Sequence, residues 1–177
     1  MRIIAGKYGG RRINPPSNMP HTRPTTDVAK EGLFNILQSR ISLDESNTLD
    51  LFGGTGCISY ELASRGASAL TIVEKDNQML DFIKKNIDLL KIENAQTIRM
   101  DVFQYLASCT QQFDIIFAGP PYALTTIDDL PRIIVERKLI SPDGYFILEH
   151  TPRNNYENFA CFSFQRNYGA TVFSFFE

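Results

Sequence analysis

Three cysteines and two histidines in 177 residues leave little room for metal or disulfide chemistry. Cys57, Cys109 and Cys161 form no CxxC pair, and an odd number cannot all pair with one another. His21 and His150 are remote from each other and from any cysteine cluster, so no metal is expected. Such usage suits a reducing compartment and makes packing, rather than catalysis, the expected task of each thiol. No apolar run approaches the ~20 residues that a bilayer span requires. The opening residues, MRIIAGK, hold no apolar stretch long enough for a secretory signal, so a cytoplasmic protein without membrane contact is expected. What remains is ordinary globular composition, 43% hydrophobic and 21% charged, enough to bury the core of one compact domain.

An excess of positive charge is also lacking, since the net charge is −2. The distribution is uneven, however. Residues 1–40 hold seven basic side chains against two acidic ones, and the remainder holds eleven against eighteen. A basic arm on an acidic body points to a polyanionic partner for the arm.

Along the chain, RIIAGKYGGRRINPP reads as two short strands around a Gly-Gly turn. This basic hairpin and its linker, residues 1–25, are expected as a small extension of a main domain at 26–177. A helix should start near Thr26, with Asp27 favourably placed in its first turn and Ala29, Leu33, Ile36 and Leu37 toward the core. From residue 48 onward strands alternate with helices. Strands are predicted at 48–52, 70–73, 96–100, 113–117 and 145–149, and helices at about 57–65, 77–90, 102–107 and 127–137. Two aromatic-rich runs joined near Gly169 close the chain as an antiparallel pair. The pattern predicts an α/β fold with a mostly parallel sheet covered by helices on both faces.

In such a sheet, ligands bind beyond the carboxyl ends of the strands. Those ends carry Asp50 and the loop DLFGGTG, then Glu74-Lys75-Asp76, then Asp101, then Gly119-Pro120-Pro121-Tyr122. Glycines let backbone amides approach a ligand closely. Glu74, 24 positions after Asp50, can accept both hydroxyls of a ribose. A dinucleotide calls for a third glycine and a pyrophosphate at the helix N-terminus, but Gly53-Gly54-Thr55-Gly56 runs into Cys57-Ile58-Ser59. With Asp101 placed for an adenine amine, an adenosine ligand without phosphates fits better than NAD.

DLFGGTG, VEKD, MDVF and AGPPY resemble, in order and spacing, the motifs of class I S-adenosylmethionine-dependent methyltransferases. MRIIAGKYGGRRI and TRPTTDVAKEGLFNIL narrow the resemblance to the RsmD family, which methylates N2 of a guanine in bacterial 16S ribosomal RNA. The resemblance covers essentially the whole chain and implies a Rossmann-like fold with a seven-stranded sheet. It implies further that Asp50, Phe52 and the Gly53, Gly54 and Gly56 loop hold the methionine end of S-adenosylmethionine. Glu74, beside Lys75, would take the ribose, Asp101 the adenine amine, and Val102 the adenine ring. Pro120, Pro121 and Tyr122 would form the wall for the target base, with the tyrosine stacked on guanine. Arg2, Lys7, Arg11, Arg12 and Arg23 would meet phosphates of 16S rRNA. The expected setting is a small-subunit assembly particle, with the protein acting as a monomer. An adenine-N6 methyltransferase and a catalytically silent RNA-binding module are the alternatives.

One residue departs from the family pattern. The slot before the two prolines carries Asp or Asn in these enzymes and Gly119 here. That side chain accepts the hydrogens of an amine whose lone pair must leave conjugation with the ring. Three explanations stay open at this point. Asp128 or Thr125 supplies the acceptor, the chain is a weakened enzyme or RNA-binding relative, or the glycine is particular to this clone.

Overall fold

The computed structural model describes residues 1–16 and 25–177. After α1 (Asp27–Arg40), strands and helices alternate: β1 (Asn47–Asp50), α2 (Cys57–Ser64), β2 (Ala69–Glu74), α3 (Asn77–Leu90), β3 (Ala95–Arg99) and α4 (Val102–Ser108). Then come β4 (Phe113–Ala118), α5 (Asp129–Glu136), β5 (Ile140–His150), β6 (Phe162–Tyr168) and β7 (Thr171–Phe176). The strands form one seven-stranded sheet in the order β3-β2-β1-β4-β5-β7-β6. β1 to β5 pair in parallel, while β7 is antiparallel to both β5 and β6. This is the architecture expected from the alternating pattern and the aromatic C-terminal runs.

Side chains on a strand point alternately to its two faces. On β4, Ile115 and Phe117 enter one core with Leu33 of α1, Ile58 of α2 and Ile83 of α3. Ile116 and Ala118 enter the other, with Leu106 of α4 and Ile134 of α5. Burial on both faces is why β4 reads as an unbroken apolar run. The amphipathic pattern of α3 works the same way, burying Met79, Leu80, Ile83, Ile87 and Leu90 on one side. Helix α1 is capped as expected: the Thr26 hydroxyl accepts the Ala29 amide at 3.2 Å, satisfying one of the donors a helix start leaves open.

Three details differ from the sequence-based reading. The N-terminal segment makes a single antiparallel bridge, Arg2 to Arg12, rather than two strands. Four of its amides bond to α2 instead, while those of Ile3, Gly10 and Ile13 bond across the segment itself. Ile4 and Ala5 donate to the Glu61 carboxylate at 2.7 and 3.1 Å, Lys7 donates to the Ser64 carbonyl at 2.7 Å, and Tyr8 to the Ser64 hydroxyl at 2.9 Å. Ile3, Tyr8 and Ile13 join the core shared by α1 and α2. On α1, Ile36 is only half-buried, and the side chains taken inside with Ala29, Leu33 and Leu37 are Lys30 and Phe34. β5 begins at Ile140, earlier than predicted. Ile140 pairs with Phe113, the turn at 141–144 loops out with Asp143 at φ 63°, and pairing resumes at Tyr145.

Candidate functional site

A cleft of about 650 Å³ opens at the carboxyl ends of the parallel strands, where β1 lies between β2 and β4. This is the switch point of the sheet, the place such folds reserve for ligands. The sequence-predicted residues converge there: Phe52, Gly53 and Gly54 after β1, Glu74 and Lys75 after β2, and Asp101 and Val102 after β3. Gly119, Pro120, Pro121 and Tyr122 after β4 complete the wall. Thr25, Cys57, Met79, Met100, Phe103 and Glu149 also line the cleft and were not foreseen. For Glu149 a signal existed, because it ends the predicted fifth strand, 145–149, just as the other acidic residues mark the ends of theirs. Thr25 and the two methionines carry no comparable mark.

Glu74 is 8% exposed and held from both sides. Gly54 donates its amide to Oε2 at 2.9 Å, and Asp76 donates to Oε1 at 2.9 Å. The carboxylate thereby ties the β1–α2 loop to the end of β2. Asp101 caps α4, and both cap bonds, from the Phe103 amide at 2.9 Å and the Gln104 amide at 3.4 Å, use Oδ1. Capping and ligand binding are therefore compatible uses of one side chain. Val102 is buried against the core of the second face, whereas Tyr122 is 41% exposed at the rim, unusually open for a large aromatic ring.

The loop glycines serve the fold as well as a ligand. A Cβ on Gly53 would stand 2.8 Å from Ile72 Cγ2 and 2.9 Å from Ile83 Cδ1. Gly56 has φ 78°, and a Cβ there would meet the Tyr60 ring at 2.4 Å. Gly56 and Asp50 stand behind the loop and do not reach the cleft surface. Asp50 is 3% exposed and accepts the Ser59 hydroxyl on Oδ2 at 2.7 Å, while its Oδ1 has no hydrogen-bond partner among the described residues. Burial pushes its carboxyl up to about 6, against the opposing effect of the Ser59 hydroxyl. Burial likewise raises the Cys57 thiol to about 11, which leaves it protonated and unreactive near neutrality.

Arg2, Lys7, Arg11 and Arg12 are all exposed, on the face of the N-terminal segment turned away from the core, and none lines the cleft. Arg2 Nε stands 4.0 Å from Asp27 Oδ2. Arg23 lies outside the described residues. Neither Asp128 nor Thr125 lines the cleft, and Asp128 Oδ1 accepts the Tyr156 hydroxyl at 2.8 Å. Among the described residues no group of three or more metal-binding side chains comes together, and no helix is long and apolar enough to cross a membrane.

A family model described as conserved hypothetical protein 95 matches residues 1–177, the full length given. The chain belongs to the RsmD family. It is similar to the ribosomal RNA small subunit methyltransferase D of Buchnera aphidicola, 31% identical over 164 residues that cover 88% of this chain and 83% of the relative. A hypothetical protein of Thermus thermophilus superposes with a TM-score of 0.88 at 25% identity, over 100% of this chain and 99% of that one. The T. thermophilus 16S rRNA N2 methyltransferase solved in complex with AdoMet and guanosine superposes with a TM-score of 0.68 at 25% identity. That match covers 86% of this chain and 43% of the other. The fold of this RsmD-family chain is the class I methyltransferase fold.

Proposed function

We propose that this protein transfers a methyl group from S-adenosylmethionine to the N2 amine of a guanine in small-subunit ribosomal RNA. The observation that carries the reading is the charge of the cleft. Among the described residues, Glu74, Asp76, Asp101 and Glu149 line it against a single lysine, Lys75. Such a cleft repels a pyrophosphate and favours a ligand that carries positive charge and hydroxyls. S-adenosylmethionine fits, with its sulfonium, its ammonium and its phosphate-free adenosine, and it would supply an activated methyl group.

Glu74 would take the ribose hydroxyls, Asp101 the adenine amine and Val102 the ring, with the Gly53–Gly54 backbone beside the methionine end. Asp50 would act from behind that loop. On the other side, Pro120 and Pro121 constrain the turn and set Tyr122 at the rim, where its exposed ring can stack on an unpaired base. Arg2, Lys7, Arg11, Arg12 and Arg23 would hold RNA phosphates, so that residues 1–25 extend the binding surface of the methyltransferase domain at 26–177. The names of the relatives support ribosomal RNA as the substrate, and the guanosine-bound structure supports guanine as the base. A monomer acting on an assembling small subunit is part of the same reading.

The test is methyl transfer to assembled small subunits, followed by mass spectrometry of the released bases. N2-methylguanine is the expected product. Methylation of adenine, or none at all, refutes the reading.

A further inference from the structure

Ala118 of β4 lies opposite Leu148 of β5 in a parallel register. The next residues, Gly119 just past β4 and Glu149 near the end of β5, are therefore side by side. A Cβ on residue 119 would stand 3.6 Å from Glu149 Oε2 and 3.1 Å from Phe117 Cε1. The slot that holds Asp or Asn in the resembling enzymes thus has a carboxylate at its edge, contributed by the neighbouring strand. Glu149 is 6% exposed and lines the cleft with Pro120, Pro121 and Tyr122. Thr25 fixes it from across the fold, donating its hydroxyl to Oε2 at 2.6 Å. The substitutes suggested by the sequence, Asp128 and Thr125, stand outside the cleft.

We propose that Glu149 accepts the hydrogens of the target amine in place of the side chain that residue 119 lacks. The proposal rests on the methyltransferase reading above and adds to it a residue and a basis for base choice. As the amine nitrogen's lone pair takes the methyl carbon, the electron pair of the broken carbon–sulfur bond stays with sulfur. The displaced N–H proton has Glu149 as its first acceptor before it passes to water. An ionised carboxylate offers only acceptors. Guanine presents two donors on one edge, N1–H and the N2 amine, and so matches it. Adenine presents an acceptor at N1 beside its amine, and lone pairs would face lone pairs. Leaving residue 119 without a side chain clears the approach to Glu149 and avoids the like-charge repulsion of a second carboxylate beside it.

The experiment compares the wild type with Glu149→Gln, Gly119→Asp and the double variant on assembled small subunits. It measures single-turnover methylation, cofactor affinity by calorimetry, and binding of guanosine- and adenosine-containing oligonucleotides to the cofactor-free protein. Glu149→Gln should slow methylation by roughly 10²-fold, the scale of a positioned proton acceptor, with cofactor affinity falling far less, because Glu74, Asp76 and Asp101 keep most of the cleft's charge. It should also erase the preference for guanosine in binding. The double variant should recover much of the lost rate, since a carboxylate returns to the same space, whereas Gly119→Asp alone should not exceed the wild type. A Glu149→Gln protein as fast as the wild type overturns the proposal and leaves the methyltransferase reading intact. So does a Glu149→Gln loss that comes with equally weakened cofactor binding and no rescue, because Glu149 would then be a structural support. A wild type that methylates no guanine overturns both.

Discussion

Lys30 and Glu61 are sealed from solvent together, their side chains 1% and 0% exposed, with Nζ 3.7 Å from Oε2. Lys30 also donates to the Arg2 carbonyl, and Arg65 Nε donates to Glu61 Oε1 at 2.8 Å. With the Ile4 and Ala5 amides added, one buried carboxylate joins α1, α2 and the N-terminal segment. Removing one partner of such a cluster strands the others. Glu61→Ala should therefore destabilise the protein by about 3–5 kcal/mol, read as a shift in denaturant midpoint. Glu61→Gln, which keeps an acceptor for the amides, should cost less. Equal stability of Glu61→Ala and the wild type would show that the segment is anchored by Ile3, Tyr8 and Ile13 alone.

Asp50 sets a pH dependence of stability. Its carboxyl is raised from 3.8 to about 6 by burial, so between those values the folded chain binds more protons than the unfolded one. Stability then falls as pH rises through that window and stays lower above it. A rise of that size corresponds to about 3 kcal/mol. Asp50→Asn, neutral at every pH, should gain about that much on the wild type between about pH 3.5 and pH 7.5. Parallel pH profiles for the two proteins in urea unfolding would refute this.

Glu74 should be needed for the cofactor. Glu74→Ala loses two potential bonds from ribose hydroxyls to a charged acceptor, each on the order of 1.5–3 kcal/mol less what water recovers. It also frees the Gly54 amide that now holds the loop. Calorimetry should show cofactor affinity weakened by roughly tenfold or more, and an unchanged affinity would remove Glu74 from the site.

The exposed cations of the N-terminal segment should govern the salt dependence of RNA binding. Counterion release makes affinity fall with salt in proportion to the phosphates neutralised. Replacing Arg11 and Arg12 with Ala should flatten the slope by about two phosphate equivalents and leave cofactor affinity alone, because neither residue reaches the cleft. If the slope stays the same, RNA lies on another face.

Tyr122, open at the rim, should act through its ring. Tyr122→Phe keeps the stacking face and should bind RNA like the wild type, whereas Tyr122→Ala should lose about 1–3 kcal/mol. Titration of a small-subunit RNA fragment separates the two cases, and equal losses in both variants would assign the role to the hydroxyl.

The sequence alone determined the alternation of strands and helices, and with it the parallel sheet, because apolar periodicity is a local property. The residues at the ends of β1 to β4 were legible for the same reason, since a strand end is marked by where the apolar run stops. DLFGGTG, Glu74, Asp101 and Pro120-Pro121-Tyr122 could be placed together once the sheet rule supplied the geometry. What a linear pattern cannot hold is a contact between residues far apart in sequence. Asp50, expected at the methionine end of the cofactor, is buried with the Ser59 hydroxyl on its carboxylate and does not line the cleft. Lys30 counted only as one cation of the basic arm, and it is buried because Glu61, on another helix, neutralises it. Glu149 could be read as a strand end, but not as the neighbour of Gly119. Only the parallel register of β4 and β5, with Thr25 returning from 124 positions away, sets its carboxylate beside the missing side chain.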